Sequence, residues 1–311
     1  MSIRFTIKFP IEPFKIIKED SEMVLMGSCF TEHIGNKLNQ AGFKTSINPF
    51  GILFNPLSID NSIHRILNLE VYKKVDLTQN QEERFVSLDH HGRFSGHDAD
   101  KVIEEINASL LAANHSIKTA DIMIITLGSA WVYRHLEKNK IVANCHKIAN
   151  HQFEKQLLSI DTIVNALNQT IKAIKIQNPE LKIVFTISPV KHLRDGVIEN
   201  QRSKATLILA LNEVLKSGDE SLYYFPAYEI VTDELRDYRF FETDHSHPNQ
   251  LAIDYVWQRF TKTCFTEKAL EKATEAENLN KSLAHKTLHT ESANENLEQK
   301  IKSYIKKYPL K

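Results

Sequence analysis

Short apolar runs alternate with longer amphipathic segments along this chain of 311 residues. The clearest runs span residues 23–26, 122–127, 182–187 and 222–225, with a weaker fifth at 43–47. Uninterrupted apolar strands separated by helical segments are typical of a parallel sheet that is covered by helices on both faces. The pattern therefore predicts an α/β fold with a mainly parallel sheet of about five strands.

Composition and charge exclude several classes of protein. Lys+Arg and Asp+Glu both number 39, so no basic surface for nucleic acid is evident. Cys29, Cys145 and Cys264 show no C-x-x-C spacing, which argues against a disulfide framework or a thiolate zinc site. No apolar run approaches the roughly 18 residues of a membrane span, and no signal peptide is evident. We expect a cytoplasmic protein with neither nucleic acid nor membrane as a partner.

The domain organisation is expected to be simple. Residues 1–265 are predicted to form one α/β domain, with an insertion at about 55–120 and a hairpin over 131–146. From residue 266 to 311 the composition shifts to Glu, Lys, Asn and Ala, which favours a helical C-terminal extension. We expect this extension to pack back on the domain through Ile301, Tyr304 and Ile305.

Small and polar residues follow the predicted strands at one edge of the sheet, where open parallel sheets bind ligands. Ser28, Ser129 and His192 come after successive strands. Ser28 also precedes a predicted helix, whose N–H groups would stabilise a developing oxyanion. Ser28 is thus a candidate nucleophile, although serine is equally favoured there as a plain helix cap. Cys29, its neighbour, is a weaker candidate for the same role.

Asp244 and His247 stand three residues apart in a turn-forming segment. The carboxylate can hold one imidazole nitrogen and leave the other facing a nucleophile. Two other interpretations stay open: a turn residue with a solvated histidine, or a metal site that uses His245 and His247. No third metal ligand is identifiable nearby. The cluster of His90, His91 and His97 is interpreted as solvated loop histidines.

Several ordered motifs resemble one known family. Gly27-Ser28-Cys29-Phe30 matches the signature of the GSCFA family, within the SGNH/GDSL hydrolase superfamily, except that Thr31 replaces the usual fifth residue, alanine. Further matches are NPFGILFNP at 48–56, LGSAWVY at 127–133, SPVKHLRDG at 188–196 and DHSHPN at 244–249. The resemblance implies a three-layer α/β sandwich with a flavodoxin-like sheet.

The resemblance also implies roles for particular residues. Ser28 would be the nucleophile, with Asp244 and His247 completing the catalytic set, and the Gly51 N–H would join the oxyanion hole. Ala130 stands where the superfamily has an asparagine donor, and Asn144 is the suggested substitute. The remaining residues expected to line the substrate site are Asn48, Ser129 and His192.

The predicted function is hydrolysis of an ester through an acyl-enzyme, with an acetyl or short acyl group on a carbohydrate as substrate. No cofactor or metal is expected, and the partner is a small-molecule or glycan ester. Two alternatives accompany this prediction. One is acyl transfer by the same mechanism, and the other is a non-catalytic module that binds carbohydrate or acyl groups.

Overall fold

A computed structural model describes residues 7–284 and 291–309. The strands of this part are β1 (Glu22–Gly27), β2 (Lys44–Ile47), β3 (Leu77–Gln79), β4 (Phe85–Ser87), β5 (Ser95–Gly96), β6 (Ile122–Leu127), β7 (Trp131–His135), β8 (Lys140–Val142), β9 (Phe153–Leu157), β10 (Lys182–Ile187) and β11 (Leu222–Tyr224). The helices are α1 (Cys29–Gln40), α2 (Pro56–Leu67), α3 (Ala99–Thr119), α4 (Ile160–Gln177), α5 (Val197–Leu215), α6 (Ala227–Glu229), α7 (Gln250–Cys264), α8 (Glu267–Ala284) and α9 (Glu291–Lys307).

Five strands form one parallel sheet in the order β11-β10-β6-β1-β2. Numbered along the chain, these strands follow the flavodoxin-like order 2-1-3-4-5. The predicted three-layer fold with a mainly parallel sheet is therefore confirmed. The direction of strand succession reverses between β1 and β6, and sheets of this kind bind ligands outside the carboxyl ends of the strands at that reversal.

The two faces of the sheet are covered by different helices, because successive strand side chains point to opposite faces. Val24 and Met26 of β1 pack in a core with α2, α3, α4 and α5. Met23 and Leu25 pack in a second core with α1, α7 and α8. Each fully buried aliphatic side chain contributes about 1.5–3 kcal/mol of transfer free energy. Both faces of the sheet below its carboxyl edge are therefore tightly packed.

Side-chain caps fix the starts of several helices. Asn55 caps α2 by accepting a hydrogen bond from the Ser58 N–H, and Pro56 occupies the first helical turn. Asn249 caps α7 in the same way through the Ala252 N–H. Pro248 lies immediately before this cap residue. Helix α5 begins at Val197, directly after Gly196.

Two small antiparallel sheets flank the main sheet, with strand orders β3-β4-β5 and β8-β7-β9. The pair β7–β8, in which Tyr133 faces Val142, is the hairpin that the sequence predicts. Segment 55–120 supplies α2 and α3 to one helical layer and β3–β5 to a small sheet.

The C-terminal helices contact the α1 side of the domain. Ala269 and Ala273 of α8 belong to the core on that face. A Cβ atom on Gly42 would lie 2.1 Å from the Tyr304 hydroxyl, so α9 returns to this face. Ile305 was expected to pack there as well, but its side chain is exposed because it lies on another side of α9. Within the described ranges, no helix has the length and apolar character needed to cross a membrane.

Candidate active site

A close approach of β1 to β6 places Ser28 at the reversal point of the sheet. Gly27 has φ +144°, and a Cβ atom there would lie 2.2 Å from the carbonyl oxygen of Thr126. Only glycine fits such an approach of two strands. Ser28 follows as the N-cap residue of α1. The predicted strand–serine–helix turn is thus present in the structure.

The Ser28 hydroxyl has no hydrogen-bond partner. Its Oγ atom is buried and accepts no hydrogen bond from the N–H groups of α1. A serine acting only as a cap would accept from the second or third N–H of the helix. The Ser28 N–H donates to Thr126 O over a long 3.3 Å. The geometry therefore leaves the hydroxyl without a capping role.

Asp244 and His247 form a hydrogen-bonded pair in the loop before α7. Asp244 Oδ1 accepts from the N–H groups of His247 at 3.0 Å and Ser246 at 2.8 Å, and Oδ2 lies 2.5 Å from His247 Nδ1. These bonds, led by that from the His247 N–H, hold the pKa of Asp244 well below its usual range. An ionised carboxylate at Nδ1 keeps the proton there and leaves Nε2 free to accept one. The pair is thus suited to general-base chemistry.

The loop that carries this pair is attached to the segment after β10. The Lys191 N–H donates to Ser246 O at 3.0 Å. The Lys191 ammonium also lies 4.2 Å from the ring centre of Tyr238 and 3.9 Å from that of Phe241. Exposed cation–π contacts contribute about 0.5–1 kcal/mol each. Lys191 therefore helps to hold the Asp244–His247 loop at the carboxyl edge of the sheet.

Two further imidazoles lie within electrostatic range of His247. Burial lowers the pKa of His33 on α1, and the charge of His247 adds to the effect. Burial, followed by the charges of Lys204 and His247, lowers the pKa of His192 to about 4. His247 therefore lies within electrostatic reach of both α1 and the segment after β10.

His192 is placed at this edge, as the sequence predicts. Its Nε2 atom is buried without a hydrogen-bond partner, and its ring meets Phe54 edge-on at 5.1 Å. Because its pKa is low, the imidazole is neutral near pH 7. A neutral imidazole N–H is a suitable donor to an oxyanion.

Cys29, the alternative nucleophile, has a different environment. Burial raises its pKa above the ordinary thiol value, even though the N–H groups of Phe30 and of Cys29 itself hydrogen bond to the sulfur. The thiolate is the reactive form of cysteine. The surroundings of Cys29 therefore disfavour it as a nucleophile.

Residues 22–260 match the sequence profile of the GSCFA family, which covers most of the chain. The chain belongs to the GSCFA family. This confirms the resemblance drawn from the ordered motifs. No curated protein matches the chain.

Solved structures similar to this GSCFA chain include several esterases. A carbohydrate esterase family 3 structure from Talaromyces cellulolyticus is 10% identical, with TM-score 0.40, covering 82% of this chain and 99% of that one. An acetyl xylan esterase from the rumen bacterium Butyrivibrio proteoclasticus is 12% identical, with TM-score 0.39 and coverages of 81% and 63%. A family two carbohydrate esterase from Clostridium thermocellum is 10% identical, with TM-score 0.37 and coverages of 82% and 65%. Likeness this weak carries no evidence about the reaction.

Gly51, the family-implied oxyanion donor, has its N–H committed. It donates to Asn48 O over 2.7 Å in a turn where Gly51 has φ +78°, and a Cβ atom there would lie 2.2 Å from His91 Cβ. The turn therefore uses the Gly51 N–H in this structure, and a place for it in an oxyanion hole stays a prediction. Asn48, expected to bind substrate, is buried, and its Oδ1 accepts from the Gly27 N–H at 2.9 Å. Asn48 thus supports the glycine before the serine.

Ser129 and Asn144 are also used within their own loops. Ser129 Oγ lies 3.2 Å from Ser203 Oγ and accepts from the Trp131 N–H at 3.0 Å. Asn144 Oδ1 accepts from the His146 N–H at 2.8 Å in the turn after β8. In the part of the chain that is described, no hydrogen bond joins Asn144 to Ser28. The hairpin before Asn144 packs beside β4, and a donor role for the Asn144 amide stays a prediction.

Lys204 is a feature of this edge that the sequence analysis missed. Its ammonium is buried and donates to Gly128 O and Ser188 O, each at 2.7 Å. A signal was available, since Lys204 occupies the core-facing stripe of α5 with Leu207 and Leu211. A lysine in such an apolar stripe is unusual and indicates a buried charge with a specific role.

The histidines considered as metal ligands have other surroundings. Among residues 7–284 and 291–309, no group of three or more His, Cys, Asp or Glu side chains is arranged to hold a metal ion. The ring of His245 lies against Tyr238 at 5.3 Å. His90, interpreted as solvated, is instead fully buried and stacked on Phe50 at 4.1 Å. That interpretation was wrong because distant aromatic residues close over the loop.

Proposed function

We propose that this protein is a serine-dependent ester hydrolase that forms an acyl-enzyme at Ser28. The main support is the 2.5 Å contact between Asp244 Oδ2 and His247 Nδ1, in a loop hydrogen-bonded to the segment after β10. This pair lies at the same sheet edge as the unpartnered Ser28 hydroxyl, which supports His247 as the general base. Such an edge is where sheets of this topology bind ligands.

In the first half-reaction, Ser28 Oγ attacks the ester carbonyl carbon while its proton passes to His247 Nε2. Asp244 stabilises the imidazolium that forms. The ester C–O bond then breaks, and the leaving alcohol takes the proton from His247. Ser28 Oγ is buried here and makes no hydrogen bond to His247, so substrate binding has to bring the two together. Catalytic hydrogen bonds commonly tighten in this way.

In the second half-reaction, water attacks the acyl carbon and gives its proton to His247 Nε2, which passes it to Ser28 Oγ as the acid leaves. The negative oxygen formed in both steps lies near the start of α1, where helix N–H groups favour negative charge. Because the Gly51 N–H is used in its turn and Ala130 has no amide, we assign His192 Nε2–H as the side-chain donor to this oxygen.

The close packing around Ser28 favours a small acyl group. A Cβ atom on Gly128 would lie 3.4 Å from Ser28 Cβ and 3.1 Å from Phe54 O. The backbone at Gly128 and Phe54 thus packs closely on one side of Ser28. We therefore propose an acetyl or short acyl substrate, carried by a carbohydrate alcohol.

Two other functions would use the same residues. Transfer of the acyl group to an alcohol other than water needs no further protein group. A non-catalytic binding module is favoured by one observation, namely that Ser28 Oγ is buried and unpartnered. The intact Asp244–His247 pair opposes it, since binding alone does not need an oriented base.

The test is a panel of acetyl, butyryl and decanoyl nitrophenyl esters together with acetylated oligosaccharides. We expect turnover with preference for acetyl, a loss of at least about 1,000-fold in Ser28→Ala, and a change within about threefold in the adjacent control Cys29→Ala. Adding an acceptor alcohol shows whether the acyl group partitions to it. Tight carbohydrate binding without turnover would replace the proposal with the binding-module function.

A further inference from the structure

Lys204 joins the carboxyl ends of β6 and β10, two neighbouring strands of the main sheet. Its side chain is 1% exposed, and its ammonium donates 2.7 Å hydrogen bonds to Gly128 O after β6 and Ser188 O after β10. A lysine is almost never fully buried without a charged partner. The packing of α5 alone therefore does not explain why a lysine is buried at this position.

The charge of Lys204 is not neutralised by a carboxylate. Among the residues described, the structure shows no ion pair to it, and the groups that face it are the Cys29 thiol from α1, the His192 imidazole after β10 and the Tyr228 ring from α6, at 5.7 Å. Removing an unpaired ammonium from water is costly. The electrostatic effect of Lys204 therefore falls on the thiol next to Ser28 and on His192.

The two carbonyls that Lys204 holds lead directly to the reacting groups. Gly128 packs against Ser28, and its N–H donates to Phe54 O at 2.8 Å, which fixes the turn beside the nucleophile. Ser188 opens the segment whose Lys191 N–H holds the loop of Asp244 and His247. One ammonium thus links the serine side of the site to the histidine side.

We propose that Lys204 is a positioning residue for the reaction at Ser28, fixing the ends of β6 and β10 and supplying positive charge beneath the nucleophile. The proposal rests on the proposed ester hydrolase function. A neutral amine still has two N–H groups and would keep both hydrogen bonds, so deprotonation removes only the charge. A fixed positive charge stabilises an oxyanion that forms during the reaction.

This separation of charge from hydrogen bonding gives a pH test. Burial lowers the pKa of Lys204 to about 7, so its ammonium is lost as the pH rises through that value. We therefore expect wild-type kcat to fall as the pH rises through about 7, which gives the pH profile an alkaline limb. Lys204→Met should lower kcat near pH 6.5 on the order of 10- to 100-fold, abolish the alkaline limb and leave KM within about threefold.

A matched control lies at the opposite edge of the same sheet. Lys175 donates to Pro179 O at 3.1 Å and Leu181 O at 2.6 Å, just before β10 begins. Lys175→Met therefore removes a similar lysine-to-carbonyl clamp far from the strand ends that carry the site. We expect Lys175→Met to reduce stability while the pH profile of kcat keeps its wild-type shape.

Outcomes separate the two proposals. If wild-type protein neither hydrolyses esters nor reacts with a fluorophosphonate at Ser28, both the hydrolase function and the role of Lys204 are overturned. An active wild type with a folded Lys204→Met variant that keeps kcat within twofold, or keeps the alkaline limb, overturns the role of Lys204 alone. Where Lys204→Met does not unfold cooperatively, the 13C signal of Lys204 Cε is titrated in wild-type protein. A titration midpoint more than one pH unit from the alkaline limb also overturns it.

Discussion

Replacing Asp244 by asparagine tests how His247 is oriented. The carboxylate accepts from the N–H groups of Ser246 and His247 through Oδ1, and Oδ2 faces His247 Nδ1 at 2.5 Å. Asparagine can keep the two backbone bonds through its carbonyl oxygen. Its NH2 group then faces Nδ1 and donates to it, which moves the imidazole proton to Nε2. The loop geometry survives, and the base loses its accepting nitrogen.

The expected effects of Asp244→Asn on stability and on kcat follow from which of these hydrogen bonds it keeps. Two of the three contacts persist, so folding should be nearly unchanged, while the tautomer needed for proton transfer becomes the minor one. Where a triad aspartate is buried, this exchange costs about 10,000-fold in kcat. Asp244 is about half exposed, and water can compete for Nδ1, so we expect about 100- to 10,000-fold. Initial rates on the best ester, with thermal unfolding measured in parallel, give both quantities.

Asp237 is a matched control in the same loop region. It is exposed, accepts from the Arg239 N–H at 2.8 Å and pairs with the Arg239 guanidinium, but it does not contact His247. Asp237→Asn should leave kcat within about twofold, because exposed ion pairs contribute little. Equal rates for wild type and Asp244→Asn, or equal losses in Asp244→Asn and Asp237→Asn, would refute the assigned role of Asp244.

Two further predictions concern stability. Arg259→Met should lower the free energy of unfolding by about 3–5 kcal/mol, because Glu234 becomes a buried carboxylate without its charged partner. Denaturant titration measures this loss, and adding Glu234→Gln to Arg259→Met should recover most of it. A loss below about 1 kcal/mol in Arg259→Met would contradict the prediction. Burial holds the pKa of His90 well below that of an unfolded histidine, about 6.5, so its contribution to stability is complete above that pH and declines as the pH falls below it. The melting temperature should therefore fall less in His90→Phe than in wild type when the pH is lowered from 7.5 to 5. Equal decreases in the two proteins would exclude this role for His90.

The strands were predictable because their signals are local, whereas the order of the strands was implied only by the family resemblance. Residues 122–127 and 182–187 read as buried strands in isolation, and both are strands over the same bounds in the structure. Ser28 could be placed because a glycine, a serine and an amphipathic helix directly follow a buried run. The catalytic roles of Ser28, Asp244 and His247 stay predictions.

The wrong or missing residues depend on contacts between distant segments. A motif that contains Gly51 does not reveal that its N–H is spent on Asn48 O. Asn144 was suggested as a substitute for the donor missing at Ala130, but the position of its hairpin beside β4 is set by long-range contacts that the sequence does not show. His90 is buried because Phe50, Tyr72 and Phe94 come together from separate segments. Lys204 escaped notice because lysine is ordinarily assigned to solvent.

The most direct measurement of the central claim is intact-mass analysis and peptide mapping after treatment with a fluorophosphonate. This reagent forms a stable bond with a serine activated by a neighbouring base. The account predicts one adduct per chain, located on Ser28, absent in Ser28→Ala and formed much more slowly in Asp244→Asn. An adduct on Cys29, an adduct that persists in Ser28→Ala, or no adduct in active wild-type protein would contradict Ser28 as the nucleophile.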